Sequence, residues 1–121
     1  MNGADAKKYS KRSFLTEHGY TRIFDYHSID SGALQRRENE WGMNDEVLYE
    51  NIRSEIEYLE MQEDPYVLSY LTIATYGPDA HLDQNCFSDT DIKIPDAIRC
   101  SLEQFIALYD DLQAKGYLNI Q

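Results

Sequence analysis

Three histidines, a loose run of aspartates and two cysteines are the side chains of this sequence whose types could do chemistry. His18, His27 and His81, with Asp79 or Asp83, carry donor atoms of the kind that hold a divalent metal. Their spacing speaks against such a site, because they fall on different elements and no two stand four apart on one helix face. Asp79, Asp83, Asp89 and Asp91 lack the regular alternation and central glycine of a calcium loop. Cys86 and Cys100 are separated by 13 residues and belong to no CxxC or Cys/His cluster of zinc spacing. Two readings of the pair stay open. They are two buried thiols, or they are one disulfide closing a short loop, which contributes roughly 3 kcal/mol and requires an oxidising compartment. Cys100 also stands at a helix start, where a thiol pKa falls, but a structural role weighs more. The sequence holds no Gly-rich phosphate loop, no G-x-S-x-G elbow and no basic-aromatic stripe.

The elements that must position these groups are read from periodicity and punctuation. Residues 5–18 predict a short helix with Asp5 as its cap. Tyr9, Phe14, Leu15 and His18 are its inner-face or functional positions, and Gly19 is its left-handed terminator. Residues 20–26, rich in aromatic and β-branched types, predict a strand. Residues 27–42 form a long loop. Asn44 then caps the clearest helix, with Asp45 and Glu46 favouring the positive end of its macrodipole. Leu48, Ile52, Ile56 and Leu59 make its apolar stripe, and Pro65 ends it. Residues 66–75 are a near-continuous apolar run, the signature of a strand covered on both faces. Tyr76, Gly77, Pro78 and Asp79 make the turn at its carboxyl end, where ligands sit in open α/β sheets. Residues 81–91 read as polar loop. Pro95 opens the last helix at its first position; Ile98, Leu102, Phe105, Ile106, Tyr109 and Leu112 form its broad apolar face, and Gly116 ends it. Residues 117–121 lead toward another strand.

That alternation of helix and strand predicts one α/β domain over residues 1–121. Its sheet is small, parallel or mixed, with two to three strands flanked by about three helices. The 121 residues and 42% hydrophobic content allow a real core. Eleven basic and 22 acidic side chains give a net charge of −11. This balance disfavours nucleic acid and anionic membrane as partners, because both repel it. No apolar run reaches the length of a membrane span.

In order along the chain, several short motifs resemble one family. Met1, Asn2, Gly3, Ala4 and Asp5, then Phe14 and Leu15, then His18, Gly19 and Tyr20 look like the middle of sulfatase-type phosphoglycerol transferases, members of the alkaline phosphatase superfamily. Trp41, Gly42, Asn44, Asp45 and Glu46 are similar to that family's "WG…DE" helix start. Residues 71–79 resemble its "LT…T-H-G/H-P-D" strand and turn. Cys86 and the stretch Ala97, Ile98, Arg99, Cys100, Ser101 resemble its paired cysteines.

The resemblance implies a partial alkaline-phosphatase-like fold and an internal segment of a larger catalytic domain. The complete enzyme moves phosphoglycerol with a Thr or Ser nucleophile activated by a divalent metal. The nucleophile and the first acidic ligand are expected before Met1, and an Asp-His ligand pair after Gln121. The chain itself then carries no catalytic residue, no metal ligand and no cofactor, and is expected to be inactive alone. Asp5 and Lys11 carry over as substrate-side contacts, Lys11 as a point charge for phosphate. Tyr76 stands where the family has a histidine; it still donates a hydrogen bond but cannot shuttle a proton near neutral pH. The implied partners are the missing flanking segments or a second copy, and the implied location is periplasmic or extracytoplasmic. A rival expectation takes the chain as a separate small acidic protein, cytoplasmic for want of a signal peptide, that binds a basic partner or acts as an inhibitor.

Overall fold

The structure is a computed structural model, and it describes residues 1, 3–7, 10–28, 38–39, 42–77, 80–88 and 91–118. Its element order is α1 (Lys11–Glu17), β1 (Glu38–Asn39), β2 (Gly42–Met43), α2 (Asp45–Glu60) and α3 (Lys93–Ala114). The three helices match the expected number. Among the described residues the expected parallel or mixed sheet of two to three strands is not formed. Among the described residues the sheet is one antiparallel ladder of two-residue strands, pairing Glu38 with Met43 and Asn39 with Gly42.

The core is built around α2. Its inner face buries Val47, Leu48, Ile52 and Ile56, joined by Met43 before it and Leu108 from α3. Tyr49 is buried too, its ring edge-on to Tyr70 with centroids 5.7 Å apart. Phe24, Tyr26, Leu68 and Tyr70 pack on this cluster from the two segments read as strands. Neither segment is a strand over residues 20–25 or 66–70. The β-branched and aromatic composition that marked them reflects a half-buried surface, which here is the flank of α2. Among the described residues the parallel pairing expected of residues 66–75 shrinks to one rung. The Met1 amine donates to the Ser69 carbonyl and the Leu71 amide donates to the Met1 carbonyl at 3.0 Å. Those two bonds bracket Tyr70 in the slanted pattern of a parallel pair.

Helix boundaries moved for local reasons. α1 covers only residues 11–17 of the predicted 5–18 and buries none of its residues; Phe14 lies exposed against His18, with ring centroids 4.0 Å apart. Asp5 does not cap α1. Its carboxylate accepts the Lys7 amide at 2.8 Å, a tight local turn that competes with helix. α2 stops at Glu60, before Pro65 is reached. α3 begins at Lys93, so Pro95 is its third residue, still within the turn whose amides need no helical acceptor. Gly19 and Gly116 do terminate α1 and α3, with φ of 85° and 74°. In both cases the 6→1 and 5→2 amide bonds are present: Tyr20 to Leu15 and Gly19 to Thr16, Tyr117 to Leu112 and Gly116 to Gln113. Tyr9, Trp41, Pro78, Asp79, Asp89 and residues 119–121 lie outside the described residues.

The broad face predicted to be buried on α3 is the largest departure. Ile98, Leu102, Phe105, Ile106 and Tyr109 are exposed, while Asp96, Ala97, Cys100 and Leu108 are the buried positions and Leu112 is half-buried against the core. No helix among the described residues is long and apolar enough to cross a membrane.

Candidate functional site

Two connected clefts lie along the segment 18–24. The larger, about 450 Å³, runs between that segment and residues 65–68, with Glu55 and Leu59 of α2 at its base. The smaller, about 180 Å³, is lined by Met1, Lys11, Phe14, Tyr20, Phe24 and Tyr70 among others. Tyr20, Arg22 and Phe24 line both. The Tyr20 hydroxyl and the Ser69 hydroxyl, 2.9 Å apart, tie the two segments together.

Arg22 dominates the shared wall. Its guanidinium donates to Glu55 at 3.1 Å and sits 4.4 Å from the Tyr58 ring centre and 5.3 Å from that of Phe24. A planar cation stacked between rings and fixed by one carboxylate keeps a defined orientation. Lys11, at the start of α1, brings a second cation to the smaller cleft. Two cations beside tyrosine and serine hydroxyls suit an anionic oxygen-rich group. Arg22 was not singled out from sequence. The available signal was an arginine alternating with aromatic residues at positions 20, 22, 24 and 26.

A second polar cluster forms beside the clefts. The buried Asp25 carboxylate accepts the Arg12 guanidinium at 2.8 Å, the His27 amide at 3.1 Å and the Ala6 amide at 3.3 Å. Burial pushes its pKa up, but the Arg12 guanidinium and those amides outweigh it and hold it below the usual value. Asp5 faces His27 across 3.4 Å, and the Lys7 amide lowers its pKa. The Ser28 hydroxyl bonds to Asp25, so the serine, histidine and aspartate here do not line up as a nucleophile, base and orienter. Of the expected site residues, Lys11 lines a cleft, Asp5 is engaged with His27, and Tyr76 is exposed past the turn at Ile73. No described contact joins any of the three to another.

The third cluster is a buried acidic staple. Asp45, the first residue of α2, turns its carboxylate away from its own helix to accept the Ile73 amide at 2.8 Å and the Ala74 amide at 3.0 Å. The cap that Asn44 was expected to give comes instead from Asp83, 37 residues beyond Glu46, whose amide donates to it at 2.9 Å. Asp83 also accepts Gln104 of α3 at 2.6 Å, and Asn85 donates to Glu46 at 3.1 Å. Burial raises the pKa of both Asp45 and Asp83, that of Asp45 to about 6. Cys86 and Cys100 form a disulfide, with Cα atoms 5.7 Å apart, which decides between the two readings of the pair. It fastens this loop to α3. These carboxylates are spent on backbone and side-chain amides. Among the described residues no group of three His, Cys, Asp or Glu side chains is placed to hold a metal ion.

No protein-family model matches the chain, and no solved structure matches it. Curated proteins do. Phosphoglycerol transferase I of Xanthomonas axonopodis pv. citri (strain 306) is 32% identical over 108 residues, covering 84% of this chain and 15% of that protein. The protein of the same name from Xanthomonas campestris pv. campestris (strain B100) gives the same figures. That of Escherichia coli (strain 55989 / EAEC) is 23% identical over 124 aligned residues, covering 97% of this chain and 16% of that protein. The chain thus spans about 15% of the length of the curated relatives it matches. Over most of its length it is a homologue of one segment of the sulfatase-type phosphoglycerol transferases.

Proposed function

We propose that this chain is a non-catalytic segment, or a remnant, of a sulfatase-like phosphoglycerol transferase. The observation that carries the reading is the match itself: nearly all of this chain aligns with a small part of much longer enzymes. In this reading the 121 residues supply scaffold and one wall of a substrate cleft. The nucleophile and the metal ligands belong to sequence outside them, and that metal, when bound, lowers the nucleophile's pKa and neutralises developing charge. What this chain's own residues do is bind and orient. Lys11 and Arg22 set two cations on the cleft wall for an anionic head group. Glu55 and the rings of Tyr58 and Phe24 hold Arg22 in place, and the Tyr20–Ser69 pair holds the two walls together. Asp5 and Tyr76, which lie outside the two clefts, are polar contacts of the rim. The location follows that of an extracytoplasmic enzyme, in keeping with the disulfide.

The test is a replacement. The matching 108-residue segment of the Xanthomonas axonopodis enzyme is exchanged for this chain, and phosphoglycerol transfer is measured with divalent metal present. Transfer is expected to survive in the chimaera, to fall about tenfold or more on Arg22→Ala or Lys11→Ala, and to be absent from the 121-residue chain alone. Metal-dependent turnover by the isolated chain would overturn the reading, as would a folded chimaera with no transfer.

A further inference from the structure

We infer that Asp45 is a positioning residue, whose buried carboxylate fixes the turn that presents Tyr76 to substrate. This role rests on the transferase reading. An aspartate at a helix start ordinarily caps its own helix. Here both Asp45 oxygens go to another segment, to the Ile73 amide at 2.8 Å and the Ala74 amide at 3.0 Å. The start of α2 is served instead by Asp83, which takes the Glu46 amide at 2.9 Å. The Tyr76 amide in turn donates to the Ile73 carbonyl at 3.0 Å, and the His81 amide to the Ala74 carbonyl at 2.8 Å. Ile73 and Ala74 are buried, whereas Tyr76, two residues on, is 54% exposed. A fully buried carboxylate is a costly fastener. It offers a separate oxygen to each of two neighbouring amides, which a neutral side chain does not. Groups buried at such a cost cluster at functional sites.

The run of the backbone says what Tyr76 faces. The Met1 amine donates to the Ser69 carbonyl and the Leu71 amide to the Met1 carbonyl. Further on, a Cβ added to Gly3 would lie 3.9 Å from Ile73 Cδ1. The two segments therefore lie side by side and point the same way. The Met43 amide, two residues before Asp45, donates to the Gly3 carbonyl at 2.9 Å, so the start of α2 is docked on the same pair.

Met1, Ser69 and Leu71 line the smaller cleft with Lys11. Two residues along from Met1 and Leu71 stand Gly3 and Ile73, and past them Asp5 and Tyr76 leave at one shared carboxyl end. Ligands of open α/β arrangements sit at that end. Asp5 is anchored there, 3.4 Å from His27. A substrate with its anionic head on Lys11 that extends along these two segments reaches Tyr76, whose hydroxyl donates to one of its oxygens.

The test is a double-mutant cycle in the Xanthomonas axonopodis chimaera, with kcat/KM for phosphoglycerol transfer measured near neutral pH. Tyr76→Phe is expected to lower it about tenfold or more. Asp45→Asn is expected to lower it several-fold by itself, and by less than about twofold in the Tyr76→Phe background. Urea midpoints, read alongside, should respond to Asp45→Asn equally in both backgrounds. A merely structural role for Asp45 predicts the same loss of transfer in both, and that result overturns the inference. So does an active chimaera indifferent to Tyr76→Phe, a change at an exposed position that leaves folding intact. In the 121-residue chain, hydrogen exchange at the Tyr76 amide should speed about tenfold on Asp45→Asn while amides around Ile56 hold; an unchanged Tyr76 amide also overturns it. A folded chimaera without transfer overturns the transferase reading, and this role with it.

Discussion

Replacing Asp45 by asparagine should change how the stability of this protein depends on pH, and the size of that change follows from where the carboxylate sits. Asp45 is fully buried, and its two oxygens are taken by the amides of Ile73 and Ala74. Burial, with the charge of Asp83 added, outweighs those bonds and raises the carboxyl from 3.8 to about 6. Between those values the folded protein holds a proton that the unfolded chain has released. The stability contributed by this group is therefore fully present below pH 3.8 and is lost as the pH rises through about 6. A gap of about two units corresponds to about 3 kcal/mol. Asparagine does not titrate. It keeps one acceptor but turns an amide donor toward the second N–H, which costs about 1–2 kcal/mol at every pH. Urea unfolding followed by far-UV circular dichroism, on both proteins from pH 3.5 to 7.5, reads the comparison directly. The variant should be the less stable in acid, and the difference should swing by about 3 kcal/mol in its favour toward neutrality. Subtracting one profile from the other removes groups common to both, Asp25 among them. A difference that stays flat across the range would refute the reasoning.

Other outcomes follow from single features. Reducing the Cys86–Cys100 bond, or replacing both cysteines by serine, should cost about 3 kcal/mol for a loop of this length, read as a lower urea midpoint. Asp25→Ala should cost about 2–3 kcal/mol at pH 7, since it strands the Arg12 guanidinium and two amides. Because its pKa is held low, the contribution of Asp25 should persist from neutral pH down to about 4 and vanish as the pH falls through its folded value. Gly42→Ala should be far more damaging than Gly116→Ala in a thermal melt. Both glycines have positive φ, but a Cβ on Gly42 would strike the backbone of Gly3 and Ala4, whereas that of Gly116 meets open space; the latter should lose only about 1 kcal/mol.

What was legible in the sequence was what a helix decides locally. The stripe of Leu48, Ile52 and Ile56, and the glycines after Glu17 and Ala114, mark α2 and the ends of α1 and α3 through periodicity and left-handed geometry alone. Residues 20–26 and 66–75 were misread because a strand is defined by its neighbour. Their composition records only that one side is apolar, and the structure satisfies it against α2 with little ladder pairing. Asp45 and Asp83 were invisible for a related reason. Asp45 was read as a favourable charge at a helix start, whereas its bonds go to amides 28 and 29 residues away. The orientation of Arg22 was hidden in the same way, because Glu55 and Tyr58, which fix it, stand on a different element.

The long-range cap on α2 has a consequence for synthesis. The first turn of that helix is made well before Asp83, and the Asn44 side chain does not cap it. The start of the central helix stays frayed until residues 80–86 arrive and dock. A released fragment ending near residue 75 should show a loose, protease-sensitive α2, and one that extends past residue 86 should be protected.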